Sequence, residues 1–453
     1  MSAALIGNDE CAVIMSDGQP CRRMMFKREN IGMRQLDGFP DGGREKPVCI
    51  LHSASEDKRL DTVHQLFPSE IIRLIEGREC RSNEWRENDI ADFRGIVFSR
   101  FFKFDEKRFR KPTIFTECVF ETIVSFAGCI FEKDARFNLA SFTRDVGFWS
   151  ASFNSEVDFS ATTFKSHALF TDAKFHARAN FEGTSFDWVD FRNAEFAGHA
   201  RFYDTTFGGQ TNFSNANFKG TSAIADFTFS KFKQPEEVLF HRVNRDIRDG
   251  LRLRSLNCDI EGVSFRDVRW NQPHGGLLLE DELDALSASK QEQHTTSRHE
   301  LVAVVYRQLL KNFEETRSYD LAEDCFRGEM RMKQKNPDQP QFNRFMVWMY
   351  GLMSQYGSSY TRALMWLLAF IVLFGLLFPV AGLRVTNSSA PVGLSAAAPS
   401  VFYWPHLSKK SAALKTAAAG FWASLGVATF QKAPAYEPGT PVGKHLATTE
   451  IIG

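Results

Sequence analysis

ARFNLASFTRDVGFWSASF, running from Ala135 to Phe153, sets phenylalanine at 137, 142, 148 and 153, in steps of five, six and five residues. The same beat extends in both directions through twenty-four phenylalanines from Phe93 to Phe218, and it returns every 11 residues from Phe93 to Phe181. Self-similarity at a short fixed period marks a stacked solenoid whose units bury one shared core. Two residues before nearly every ring stands something small or β-branched: Ala135, Ala140, Val146, Ala151, Val157, Thr162, Ala168 and Ala173. These define a second inward position too tight for a large side chain. Polar residues fill the remainder.

Eleven residues also make about three turns of α-helix, so a long helix is the competing solution. At about 100° per residue, a five-residue step turns the ring by about 140° and splits the ladder into two separated stripes. Thr, Phe, Val, Asn, Asp and Gly dominate the segment, where a long helix would favour Leu, Glu and Lys. Short straight segments joined by tight corners satisfy the pattern instead, each sending one phenylalanine inward.

These segments resemble pentapeptide repeats, in which a central Phe or Leu and a preceding small residue recur every five residues. The resemblance covers about residues 91–233. It implies a mainly β fold, a right-handed quadrilateral β-helix with four segments to a coil. The chain departs from the plain pattern by inserting a sixth residue in every second segment, as the phenylalanine-rich variant of the family does. Wider corners are expected from the insertion, and three successive steps of five, Phe181, Phe186, Phe191 and Phe196, are expected to shift the phase. Four rings per coil give six coils, which at about 4.8 Å per layer make a rod of about 29 Å. Each ring buries on the order of 2 kcal/mol of transfer free energy, so the ladder is a stability device and none of its rings is read as a ligand.

Function on such a rod belongs to its outer faces. Some relatives are thought to mimic duplex DNA and bind type II topoisomerases through a strongly acidic surface. Here 17 Asp and Glu stand against 18 Lys and Arg between Asp92 and Lys233, too balanced for a dense negative field. Topoisomerase binding is thus the lowest-ranked of three readings, and nucleic acid is not expected as a direct partner. A net charge of zero over the 453 residues gives no reason for a polyelectrolyte partner either.

Toward the other end, ALMWLLAFIVLFGLLFPVAGL runs uncharged from Ala363 to Leu383, bounded by Arg362 and Arg384. That length suffices for a helix to cross a bilayer, and a transmembrane helix is placed over 362–384. Before it, 340–360 mixes Phe342, Phe345, Met346, Trp348, Met349 and Tyr350 with few charges, the composition of a helix lying in the interface. Arg327, Arg331, Lys333, Lys335, Arg344 and Arg362 cluster on the amino-terminal side, which predicts a cytoplasmic rod and an inner-membrane location. Residues 385–453 read as a loop followed by an amphipathic or re-entrant helix over Lys410 to Lys432. The region from Tyr306 through YGSSYTR to TFQKAPAYEPGTPVGKHLATTEIIG resembles the carboxyl-terminal part of bacterial membrane-bound pentapeptide-repeat proteins. Their architecture is similar to a two-helix ion channel, whose second helix would begin where this sequence ends at Ile451, Ile452 and Gly453, so a truncated frame is one expectation.

The remaining organisation is read as follows. Residues 61–90 form a helical amino-terminal cap, 234–286 a carboxyl-terminal cap, 287–298 a polar linker and 299–338 a helical hairpin. The hairpin pairs Leu301, Val304, Val305, Leu309 and Phe313 with Leu321, Ala322, Phe326 and Met330 across a turn at Ser318, and it resembles a single tetratricopeptide-type unit. In 234–286, His241, Arg242 and Arg252 are read as surface salt-bridge partners rather than a site.

Chemistry gathers at the amino terminus, in a module over 1–60. Cys11, Cys21, Cys49 and His52 form the frame C-x9-C-x27-C-x2-H, a donor set for one structural zinc, weighed against ordinary reduced thiols. Cys80, Cys118, Cys129, Cys258 and Cys325 stand singly and read as core residues of a reduced compartment. MSAALIGNDECAVIM lacks the basic head and apolar run of a secretory leader. No nucleophile elbow, phosphate loop, HExxH or dinucleotide fingerprint is present, so no enzyme is expected. The leading reading is a membrane-anchored scaffold that binds the lipid bilayer at one end and an unidentified protein on its solenoid faces, with a second copy of the chain as a further candidate partner. A channel-like protein assembled or gated by the solenoid is the first alternative.

Overall fold

The computed structural model describes residues 90–98, 101–220, 222–273, 276–287 and 298–381, with Ile71, Ile75 and short strands at Phe39–Asp41, Arg44–Lys46, Arg78–Arg81, Glu84–Glu87, Leu383–Val385 and Tyr436–Pro438. The chain divides into two compact units, Met1–Pro340 and Gln341–Gly453.

The first unit is built on a parallel β-solenoid. Its strands are mostly two residues long, and each pairs in parallel with the strand one coil further on: Val119 with Ser141 and Phe120 with Phe142, Ile130 with Ser152 and Phe131 with Phe153. Twenty-two residues therefore carry the chain once around four faces, and the 11-residue period of the sequence is half a coil. The longest ladders hold eight strands, so the solenoid has about eight coils. The rings stack directly above one another. Phe93, Phe115, Phe137 and Phe159 follow at centroid spacings of 4.4, 4.8 and 4.8 Å with planes within 11°. Neighbouring columns meet edge to face, as Phe126 and Phe137 do at 5.6 Å and 86°. The stacks follow the strand spacing of about 4.8 Å, and the edge-to-face contacts suit the quadrupole of the ring.

The alternation of five and six comes from two kinds of corner. The second residue after a ring has positive φ in two of the four columns, at Glu106, Glu117, Gly128, Leu139, Ser150, Ala161, Asp172 and Gly183 in succession. In each such corner the ring residue's carbonyl accepts the amide three residues on, as in Cys118 to Phe115 at 3.2 Å and Thr162 to Phe159 at 3.1 Å. A left-handed residue in that place belongs to a type II turn, which reverses the chain in the fewest residues and leaves a five-residue step. The six-residue steps, such as Phe109 to Phe115, turn without one.

The expected phase shift does not occur. Phe191 stacks on Phe170 at 4.9 Å and Phe196 on Phe175 at 4.8 Å, although each pair is 21 residues apart rather than 22. The missing residue is absorbed where strand Thr163–Leu169 lies beside Ser185–Asp190, whose register slips between Phe164 and His167. A one-residue bulge at the corner keeps every ring in its column.

The ladders also run past Lys233. Strands Val238–His241, Leu253–Arg254 and Ser264–Arg266 add to them in parallel, and Phe240 and Phe265 extend one ring column at 4.7 and 5.2 Å. Aliphatic Leu251, Leu253, Ile260 and Val263 are buried in these layers, Leu253 in the small inward place that Ala225 holds one coil earlier.

Three helices close this end: α1 (Glu280–Ser287), α2 (Arg298–Glu315) and α3 (Tyr319–Lys335). Phe313 of α2 packs edge-on against Trp270 at 5.8 Å. Asn312 beside it donates to the Ile260 carbonyl at 2.7 Å and accepts from the Gly262 amide at 2.8 Å, satisfying coil backbone that would otherwise be buried unpaired. Tyr306 donates to Glu282 at 2.5 Å while Arg331 grips the same carboxylate with two nitrogens at 3.1 Å, tying all three helices together. Gly328 makes room for that tyrosine, since a Cβ there would lie 2.5 Å from the ring. The hairpin read from the sequence is thus part of the closure of the solenoid.

The second unit contains α4 (Gln341–Ser354) and α5 (Tyr360–Ala381). Gln355, Tyr356 and Gly357, all with positive φ, turn the chain between them. Trp366 of α5 donates its indole N–H to the Leu352 carbonyl of α4 at 3.2 Å.

Candidate functional site

Outward positions of the solenoid repeat one coil apart, so side chains on a face stand in vertical rows. One row reads Arg136, Asp158, Asn180, Arg201, Asp226, Arg254, held in register by successive parallel pairs. Its members interlock: Asn180 donates to Asp158 at 2.9 Å, and Arg254 lies 3.4 Å from Asp226. Along a left-handed corner, Asn193 donates to Asp172 at 3.0 Å and Asn215 to Asn193 at 3.2 Å. These faces mix signs rather than presenting one charge. Phe101, Ile123, Leu139, Trp149 and Phe229 stand exposed on them.

Near the closed end, the outer face meets α1 and the start of α2 in a cleft of about 370 Å³. Arg178, His199, Arg201, Tyr203, Asp226 and Arg254 come from the coils, and Asp281, Asp284 and Arg298 from the helices. Arg254 binds Asp284 at 2.9 Å through one terminal nitrogen and reaches Asp226 through the other. Burial pushes the Asp226 carboxyl up, but His199 at 3.5 Å, the Thr228 hydroxyl and amide, and the Arg254 charge outweigh it and hold the group at about 2. Asp281 goes the opposite way. Burial pushes it up to about 7, against the Ser255 amide that donates to it at 2.7 Å and the Arg254 charge. His199 Nε2 and Arg254 Nε are buried without a hydrogen-bond partner.

Cys11, Cys21, Cys49 and His52 lie outside the described residues. Among the described residues, no group of three or more His, Cys, Asp or Glu is arranged to hold a metal ion. Cys129, Cys258 and Cys325 are buried free thiols, and Cys118 is buried as well. Cys129 is pushed up to about 12 by burial. Its thiol faces the Phe104 carbonyl at 3.0 Å and that of Cys118 faces the Phe93 carbonyl at 2.9 Å. Thr162, Thr184 and Thr205 do the same in later coils, donating at 2.7 Å to Phe137, Phe159 and Phe181. The small inward place is therefore a rung that links ring backbones across coils. Arg252 forms a two-pronged pair with Glu280 at 2.6 and 2.9 Å, and His241 meets the Ser264 hydroxyl at 2.9 Å.

Sequence reasoning missed the cleft. Arg178 and His199 are 21 residues apart and adjoin across one coil pairing, a relation that the period makes readable. Asp281 and Asp284 come from α1, outside the repeat, where no period points to them.

Among the described residues, α5 is the one helix long and apolar enough to cross a membrane, over Tyr360–Leu377. Its Leu364, Met365, Leu368, Val372 and Leu376 are exposed, as are Phe342, Phe345 and Trp348 of α4.

A family model described as pentapeptide repeats, in nine copies, matches residues 104–152 and 181–223. No curated protein and no solved structure matches the chain.

Proposed function

We propose that this chain, a pentapeptide-repeat protein, is a membrane-anchored scaffold that displays its solenoid in the cytoplasm for a protein partner and catalyses no reaction. The observation that carries the reading is α5, whose apolar side chains from Leu364 to Leu376 are largely uncovered. In water such a helix would expose far more contiguous apolar surface than a soluble domain tolerates, whereas a bilayer accommodates it. The aromatic side chains of α4 suit the headgroup layer of the same membrane. Basic residues before α5 favour an inner-membrane orientation with the amino-terminal unit inside. The binding role rests on the solenoid, a fixed frame of parallel ladders whose outer rows offer side chains at regular intervals.

Alkaline carbonate washing of cell membranes, with protease access to tags at both ends, tests this. The expected result is retention in the washed membrane, with the two tags on opposite sides. Release by carbonate would end the anchored reading. Both tags inside would place a crossing after residue 385 and move channel-like assembly ahead.

A further inference from the structure

The cleft between the last coils and α1 has no part in the scaffold reading. Four guanidiniums, those of Arg178, Arg201, Arg254 and Arg298, line it against three carboxylates, Asp226, Asp281 and Asp284, with His199 added. The partner of Arg201, Glu182 at 3.3 Å, lies outside the lining. Arg178 has no carboxylate within ion-pair reach among the described residues. A buried N–H left without an acceptor carries a desolvation penalty of about 1–3 kcal/mol, and Arg254 Nε is one such nitrogen, while His199 Nε2 has only the Asp226 carboxylate at 3.5 Å. The guanidiniums outnumber the carboxylates of the lining, and Arg178 is left to meet a further anion.

Nor is the cleft polar throughout. Tyr203 and Leu256 form an apolar wall, and the Arg201 guanidinium lies over the Tyr203 ring at 5.1 Å, which fixes its plane. We infer that the cleft binds a small phosphomonoester, its phosphate taken by Arg178, His199 and Arg254 and its organic group laid against Tyr203 and Leu256. Donors arriving from separate residues suit a tetrahedral oxyanion, which offers acceptors in several directions, better than a planar carboxylate met by one fork. A volume of about 370 Å³ leaves space beyond the phosphate itself.

Titration calorimetry of the full chain in detergent, at constant ionic strength, tests this with phenyl phosphate, inorganic phosphate and malonate. Saturable binding of phenyl phosphate is expected, tighter than inorganic phosphate and at least tenfold tighter than malonate. The double variant Arg178→Gln/Arg298→Gln should weaken phenyl phosphate at least tenfold with its ligand-free melting unchanged. If that variant melts lower, Arg178→Gln alone is the variant compared. Absence of saturable heat, equal binding of malonate, or wild-type affinity in the variant overturns the assignment. Membrane topology has no bearing on these outcomes, so this site and the anchored scaffold fail separately.

Discussion

Asp281 and Asp226 occupy the same cleft and answer pH in opposite senses. Asp281, pushed up to about 7, holds its proton in the folded chain where the unfolded chain has lost it. Its contribution is greatest below the ordinary aspartate range near 4 and is lost as pH rises through 7. Asp226, held at about 2, contributes above that ordinary range and loses its contribution as pH falls toward 2. Asp281→Asn keeps an acceptor for the Ser255 amide and removes the ionisation. The variant is expected to melt higher than the parent at pH 8, by the equivalent of on the order of 2–4 kcal/mol, and to match it near pH 4. Parallel melting curves across that range would show that Asp281 is not the titrating group. No sequence pattern announces Asp281, because its shift comes from burial against the coils and α1, which carries it, lies outside the repeat. The rings were legible for the opposite reason: phenylalanine is large, it recurs, and its period survives without knowledge of the coil. Leu251, Leu253 and Ile260 fill the core of the last layers but share their residue types with any core, so the sequence alone stops the solenoid at Lys233.

At the scale of a single coil, the tight corners carry the unusual backbone. Glycine would be the default at their left-handed position, yet Leu139, Ala161 and Phe229 hold it with φ of 60, 52 and 61°. That is why the corners could not be read from residue type, whereas the five-residue step that they create could. Ala161 and Gly183 occupy the same corner in adjacent coils. A Cβ on Gly183 would meet nothing nearer than the Ala161 nitrogen at 3.9 Å, so steric crowding plays no part. Gly183→Ala is therefore expected to destabilise the solenoid by about 1 kcal/mol through φ alone. Ala161→Gly should gain somewhat less, because glycine also loosens the unfolded chain. Denaturant midpoints measured at unchanged slope check both, and a loss in each direction would mean that the corner is not limited by φ.

For the whole molecule, the division at Pro340 separates two different ways of treating apolar side chains. The first unit buries its rings in its own interior, while the second leaves α5 uncovered. A chain ended at Pro340 is expected to fractionate as a soluble protein and to keep the strand-rich circular dichroism of the full chain. Aggregation on removal of the second unit would show that the helices after Pro340 are needed for the first unit to fold. The closure by α2 and α3 supports the expected outcome, since Asn312 and Phe313 already cover the last coil.

The slipped register between Thr163–Leu169 and Ser185–Asp190 reaches beyond stability. A coil one residue shorter than its neighbours still keeps every ring in its place, as the 21-residue coil from Phe170 to Phe191 shows. The same tolerance lets the array lengthen by copying whole coils in frame, because each new layer needs only the ladder beneath it. Coil number and surface are thereby uncoupled from the stacking of the rings, so that either can change without the other.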